Sequence, residues 1–369
     1  MVILIRSNEA NPDPRLQKYI NYLESSHQNY KVLAWNRGKE NIKKANFTYF
    51  NLQTGYGLAY KNIPYKIAWF IFIFIYLIRN RKSYSLIHAC DFDTMLPAYY
   101  STIFTRKKIV FDVFDWFSNP QPKGFIKCTI NRIENILFKK TDFAIICEKY
   151  RINQVNPKYR REFFVLPNIP SIQLKDDQDI YKKVNSQRLN YKYILSYVGV
   201  FDQFRGLEDI LKFVSQNEDF CLNIAGYGYL ENLVFEISEK YDNVIYWGKV
   251  DYNTGLNMMK NSDMIIAFYY CQDDDHFYAA PNKYYEGLFL GKAILTNNDT
   301  LLAQNTIKHD TGFVIQEGLP SISTFFLNQF NIDDVQQKNK NTKAIWQTAF
   351  ENYTEKFMTE IYQKILDEK

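Results

Sequence analysis

The chain has 369 residues, 46% hydrophobic and 23% charged, which is enough for two globular domains with separate cores and too apolar for a disordered polymer. No run of eighteen or more apolar residues occurs, which argues against a bilayer-spanning protein. Five scattered cysteines (Cys90, Cys128, Cys147, Cys221, Cys271) with no C-x-x-C pair argue against a disulfide framework or a zinc knuckle, and fit a reducing cytoplasm. The formal charge of +5 hides an asymmetry: residues 1–170 hold 26 Lys/Arg against 12 Asp/Glu, and the remainder 19 against 28. The two parts should therefore meet different partners. With no zinc-finger or RRM-like signature, an anionic membrane surface or a phosphorylated acceptor ranks above nucleic acid for the basic part.

In chain order, Val2–Ile5 is a first strand, and the charged residues that follow at once, Arg6 and Glu9, give it too little apolar length for a secretory signal. The loop 11–15 is stiffened by Pro12 and Pro14 and offers Arg15 to an acceptor, a phosphate or solvent. A helix through Leu16–Leu23 and a strand at Tyr30–Trp35 complete a βαβ beginning. Ile67–Ile78, IAWFIFIFIYLI, is apolar on all sides and flanked by Lys66, Arg79, Arg81 and Lys82. It is too short to span a bilayer and suits either a core helix or an interfacial one, with Trp69, Phe72 and Arg79 at an anionic surface. Strands follow at Leu86–His88, Lys108–Phe111, Phe143–Cys147 and Phe163–Leu166, after which Pro167-Asn168-Ile169-Pro170 breaks the pattern.

A second strand series opens at Tyr193–Val198 and continues through Cys221–Ala225, Val244–Trp247, Met264–Phe268 and Ala293–Thr296, with helices near 206–216, 229–240, 253–261 and 283–290. Residues 344–366 read as a long amphipathic helix. The expectation is two doubly wound α/β domains: 1–170 and 191–343, joined by a linker at 171–190, with a terminal helix at 344–369. Ligands of such sheets bind at the carboxyl ends of the strands.

The most informative stretch is Pro281–Asn298, PNKYYEGLFLGKAILTNN, where Lys283 and Glu286 share a helix face at i and i+3 close to the helix N-terminus. Such a pair can hold a phosphate and a sugar hydroxyl; it can also be a plain surface ion pair. Gly199–Gly206, GVFDQFRG, follows a strand and precedes a helix, so its amides and Arg205 can meet a diphosphate, or mark a turn. Gly226 follows another strand and permits close backbone approach or a tight turn. His88 and Asp91 follow a strand in HACD, at the edge of the expected cleft, and Asp112 and Asp115 in DVFDW can orient an acceptor hydroxyl or cap a turn. Asp273-Asp274-Asp275-His276 reads as a solvated acidic loop rather than a metal site, because consecutive residues rarely converge on one ion.

These pieces, DPRLQKYINYL, SLIHACD, DVFDWF, VLPNIP, YVGVFDQFRGLEDI, LNIAGYG, NVIYWGKV and PNKYYEGLFLGKAIL, stand in an order that resembles the GT-B glycosyltransferases, in particular glycosyltransferase family 4 of bacterial surface-polysaccharide assembly. The resemblance implies two facing Rossmann-like domains with a C-terminal helix crossing back to the first. It implies transfer of a sugar from a nucleotide-sugar substrate, with retention and without metal or other cofactor. The acceptor it implies is lipid-linked or a growing polysaccharide, at the inner face of the cell membrane. It assigns the donor to Gly199, Arg205, Gly226, Lys249, Lys283 and Glu286, with Glu286 on the ribose and Arg205 on the diphosphate, and the reaction centre to His88 and Asp91.

Three departures stand out. Tyr278 replaces the first of two family glutamates, Gly199 stands where an arginine is usual, and Cys90 replaces the second histidine of an HxH. They leave room for a non-catalytic subunit that supports a partner enzyme, and the same architecture also admits a sugar-nucleotide epimerase.

Overall fold

The computed structural model describes residues 1–8, 13–38, 43–54, 62–119, 121, 124–170, 172–271 and 274–368, with Asp274 and Asp275 as backbone only. The chain divides into two compact units: Met1–Pro167 with Thr354–Lys369, and Asn168–Tyr353.

The apolar runs of the first unit become a seven-stranded parallel sheet: β1 (Val2–Arg6), β2 (Tyr30–Asn36), β3 (Phe47–Asn51), β4 (Leu86–Cys90), β5 (Lys108–Val113), β6 (Phe143–Ile146) and β7 (Phe164–Val165), in the order β3-β2-β1-β4-β5-β6-β7. Strands buried on both faces are largely apolar, which is why VILI, LIHAC and KIVFDV carry so little alternation, with the buried His88 and Asp112 as exceptions. The strand order reverses between β1 and β4, the place where sheets of this kind open a ligand crevice.

The helices of this unit among the described residues include α1 (Pro14–Ser25), α2 (Ile63–Arg79), α3 (Phe92–Thr105) and α4 (Phe125–Lys140). Helix α1 starts where Asp13 accepts from the Leu16 amide at 3.0 Å, with Pro14 in the first turn where its missing N–H costs nothing.

The second unit repeats the plan with β8 (Tyr193–Phe201), β9 (Phe220–Gly228), β10 (Val244–Tyr246), β11 (Met264–Ile266), β12 (Ile294–Asn297) and β13 (Gly312–Ile315), ordered β10-β9-β8-β11-β12-β13 and again reversing beside the first strand. Its helices include α5 (Gln178–Ser186), α6 (Leu207–Ser215), α7 (Glu231–Lys240), α8 (Tyr252–Asn261), α9 (Asp274–Phe277), α10 (Asn282–Leu290) and α11 (Leu301–His309). The expected linker at 171–190 differs from this division, because α5 is packed into the second unit through Ile180 and Val184. The terminal helical run also begins earlier than expected, at Ile332, and continues to Asp367 through π-helical turns at Trp346–Phe350 and Phe357–Tyr362. Its last part, with Phe357, Met358, Tyr362, Ile365 and Leu366 buried, belongs to the first unit.

Candidate functional site

Helix α10 follows Pro281, whose extended backbone turns the chain into the helix, and ends at Gly291 in the left-handed conformation. Lys283 sits in its first turn and Glu286 one turn further on. Both are buried, at 8% and 6% exposure, so the surface ion pair is excluded. No carboxylate oxygen among the described residues lies within 4.0 Å of the Lys283 ammonium. Its nearest aromatic neighbours are the Tyr197 ring, 4.4 Å away, and the Tyr269 ring at 6.0 Å. Burial pushes the Lys283 pKa down and Arg205 pushes it further, with Glu286 opposing. Burial raises Glu286, against the pull of Lys283 and of the Tyr252 hydroxyl.

Arg205 ends the turn between β8 and α6, and its guanidinium lies over the other shared ring, 4.1 Å from the centre of Tyr269. One of its terminal nitrogens is buried without a hydrogen-bond partner. Two cations thus flank one aromatic ring with donors unspent, at the C-terminal ends of β8 and β11 and at a helix N-terminus. That is an arrangement for an anion carrying more than one charge.

Gly199 keeps the space beside Lys283 open, since a Cβ built there would stand 2.7 Å from the ammonium. Gly226 does something else: a Cβ there would lie 1.8 Å from the Gly199 carbonyl oxygen, so this glycine is required by the close pairing of β8 with β9. Lys249 is exposed over the Tyr227 ring at 4.9 Å, beside the end of β9. His276 Nδ1 is held by the Tyr270 carbonyl at 2.8 Å, with its ring 5.8 Å from Tyr269; Asp273 lies outside the described residues. Tyr197, Tyr252 and Tyr269 were not foreseen. Among 29 tyrosines, only their positions within a strand, just past a strand and at a helix start distinguish them.

In the first unit the structure corrects two expectations about its chemistry. His88 is not at an edge: it lies within β4, fully buried, with Nδ1 3.1 Å from the Tyr362 hydroxyl and Nε2 3.5 Å from Asp112. Arg15 is not a loop residue awaiting a phosphate. It is buried and clasps Asp112, with Nη2 2.6 Å from Oδ1, while Nη1 donates to the Leu166 carbonyl. Tyr19 completes the cluster with 2.8 Å to Asp112 Oδ2. Burial raises the Asp112 pKa, but Arg15 and His88 more than reverse this and hold it well below the usual carboxylate range. The ligand atoms of His88, Cys90 and Asp112 come within 4.8 Å of one another, yet both Asp112 oxygens are taken by Arg15 and Tyr19 and its charge is met. The cluster is a structural core that ties together α1, β4, β5 and the terminal helix.

Asp91 does stand at the C-terminal end of β4, with φ of +67°, a conformation L-residues adopt at a cost of about 1–3 kcal/mol. Its Oδ1 accepts from the Phe114 amide at 2.8 Å and the Asp115 amide at 3.3 Å, and its Oδ2 pairs with Arg6, which also binds Asp13 at 2.7 Å. Burial pushes Asp91 up to about 6, with Asp115 and Asp93 adding to the rise and Arg6 opposing it.

Helix α2 shows why its sequence lacked a polar face. Trp69, Ile73 and Leu77 point into the core, and Ile63, Ile67, Ile71 and Ile75, each four residues on, are exposed. Trp69, fully buried against Trp35, is therefore no surface contact, and Phe72 packs on Trp69 and Phe50. Arg79 is exposed. Helix α3 lies alongside, with Phe70 near Tyr100 and Phe74 near Phe104, and adds Tyr100, Ile103 and Phe104 to the exposed apolar face. No helix among the described residues is long and apolar enough to cross a membrane.

No protein-family profile and no curated protein matches the chain. Solved structures do. Sucrose-phosphate synthase from Thermosynechococcus elongatus superposes with a TM-score of 0.75 at 14% identity, over 100% of this chain and 99% of the other. Anabaena HepE in complex with UDP and glucose gives 0.71 at 14% identity, over 100% of both chains. WaaG, a glycosyltransferase involved in lipopolysaccharide biosynthesis, gives 0.66 at 14% identity, over 96% and 98%. The fold is thus that of the GT-B glycosyltransferases: two Rossmann-like parallel-sheet domains.

Proposed function

We propose that the protein is a glycosyltransferase that moves one sugar from a nucleoside-diphosphate donor to a lipid-linked or growing polysaccharide acceptor. The observation that carries this is the pair Lys283 and Arg205, cations with unspent donors around Tyr269 at the N-terminus of α10, one turn from the buried Glu286. In this reading the diphosphate lies on Lys283, Arg205 and the α10 amides. Glu286, steadied by Tyr252, accepts from the ribose hydroxyls, and Lys249 borders the nucleoside. HepE, which shares the fold, holds UDP in its crystals, and this supports a nucleotide donor here.

Catalysis follows from charge. As the acceptor hydroxyl oxygen bonds to the anomeric carbon, losing its proton to the departing diphosphate or to water, and the bond to the diphosphate breaks, negative charge builds on the leaving phosphate. Pre-placed cations and helix amides then stabilise the transition state more than the ground state. This charge supply is what supports working without a bound metal. The retaining outcome and a place in surface-polysaccharide assembly extend the sequence resemblance.

The exposed isoleucine stripe of α2, widened by Tyr100, Ile103 and Phe104 of α3 and edged by Arg79, Arg81 and Lys82, supports peripheral binding to an anionic membrane at its cytoplasmic face.

The test is a panel of UDP-, GDP-, ADP- and dTDP-sugars, assayed for binding and slow hydrolysis with wild type, Glu286→Ala and Arg205→Ala. Selective turnover of one donor, lost in both variants and insensitive to EDTA, is expected. Binding without turnover would favour a non-catalytic subunit, and isomerisation of the donor sugar an epimerase.

A further inference from the structure

Arg151 poses a question of economy. It is buried, in the turn Lys149–Gln154 after β6, and a desolvated guanidinium needs partners. It donates to the Phe114 carbonyl at 2.6 Å, to Cys147 Sγ at 2.9 Å and to Gln154 Oε1 at 3.0 Å. Its one carboxylate partner among the described residues is Asp115, and both terminal nitrogens reach the same oxygen, Oδ1, at 3.1 Å. The Asp115 side chain is 88% exposed. Water screens such a pair, so it adds little to stability. What it achieves is to hold the carboxylate still.

The immobilisation is thorough. The Asp115 amide donates to Asp91 Oδ1, the next residue, Trp116, is buried, and the Arg151 guanidinium grips the preceding carbonyl as well as Oδ1. Oδ2 has no partner among the described residues. A fixed, exposed carboxylate with one oxygen unspent is a hydrogen-bond acceptor prepared for a donor from solution, and it stands just past the end of β5, where a sheet of this type presents ligand-binding loops.

We propose that Asp115 is the acceptor-binding carboxylate: its Oδ2 accepts a hydrogen bond from a hydroxyl of the sugar acceptor, and Arg151 is the positioning residue that aims it. The proposal rests on the transferase reading above. A carbohydrate, rich in hydroxyl donors, fits this group, and a phosphate or carboxylate would be repelled by it.

The experiment measures transfer from the donor identified in the panel to a set of n-octyl glycosides, alongside hydrolysis of that donor. In Asp115→Asn the acceptor KM should rise about ten- to a hundredfold, the loss of one charge-assisted hydrogen bond. Donor KM and donor hydrolysis should stay where they are, and Tm should fall little, because the Asn carboxamide oxygen can still accept from Arg151 in place of Oδ1. Arg151→Lys should raise the acceptor KM less, and the double variant should be no worse than Asp115→Asn alone, a non-additivity that a merely structural Arg151 would not give. An unchanged acceptor KM in Asp115→Asn would overturn the proposal, as would donor hydrolysis with no glycoside accepted by wild type. Wild type that turns over no nucleotide-sugar at all would overturn the transferase reading, and this proposal with it.

Discussion

Lys283→Met removes the ammonium while keeping the shape of the side chain, and two opposite effects should follow. An ion pair at 4 Å near a protein surface is worth about 4 kcal/mol, and Lys283 has no such partner among the described residues. It keeps only aromatic contact with Tyr197 at 4.4 Å and a more distant pull from Glu286, against burial and the repulsion of Arg205. Its folded-state pKa therefore lies below that of the unfolded chain. The folded protein binds this proton less tightly, so the charged lysine subtracts from stability at neutral pH, and the penalty fades as pH rises towards the ordinary lysine value.

Replacing an under-compensated buried charge with an apolar group of similar volume should stabilise by about 1–3 kcal/mol, a rise in Tm of roughly 2–10 °C for a unit of this size. Nucleoside-diphosphate binding should weaken by about ten- to a hundredfold, one charge-assisted contact to phosphate. Calorimetric titration with UDP and GDP, paired with thermal melts at pH 7 and pH 9.5, reads both; the gain in Tm should shrink at the higher pH. A variant that melts lower and binds the nucleotides as wild type does would show Lys283 to be an ordinary core lysine, and the reading of α10 as a phosphate site would fall.

Two further outcomes are expected. Ile71→Glu and Ile103→Glu should each cut co-sedimentation with phosphatidylglycerol-containing liposomes several-fold at low salt with little change in Tm, because both side chains are exposed; Trp69→Ala, which empties a buried site, should instead cost about 3–5 kcal/mol of stability. Equal liposome binding by all three would remove the membrane face. Glu134 is fully buried beneath the Phe117 and Ser118 amides, and burial pushes its pKa up to about 7, with the amide hydrogen bonds opposing. A carboxyl with a raised folded pKa contributes stability at low pH that is lost as pH climbs from about 4.5 to 7, up to roughly 3 kcal/mol. Denaturant melts of wild type against Glu134→Gln across that window should show the dependence flatten in the variant; parallel curves would contradict the assignment.

The alternation of short apolar runs was enough to read both sheets, because a strand buried on two faces has little freedom in composition. Side-chain direction was harder. His88 follows an apolar pair and looked like an edge residue, but β4 runs two residues further, to Cys90, and carries the histidine into the core. Arg15 looked free because its partner, Asp112, is 97 residues away and only the pairing of distant strands brings them together. Separation in sequence likewise hides Arg6 from Asp91, 85 residues away, and Arg151 from Asp115, 36 residues away. In α2 an unbroken apolar run gave no periodicity from which to tell Trp69, inside, from Ile71, outside. The Lys283 and Glu286 spacing was visible from the start; that both are buried, and that Lys283 lacks a carboxylate at ion-pair distance among the described residues, required the packing of Tyr197, Tyr252 and Tyr269 around them.

The return of the terminal helix to the first unit sets an order of events during synthesis. Tyr362 bonds His88 and packs on Tyr19, and Leu366 and Ile365 are buried in that unit. These residues follow the second unit in the chain and so leave the ribosome after it. The second unit, contiguous from Asn168 to Tyr353, can close its own core first. The unit made earliest is therefore the one completed last, and until then His88 and Tyr19 lack their Tyr362 partner and stand open to chaperones, to proteases and to other nascent chains.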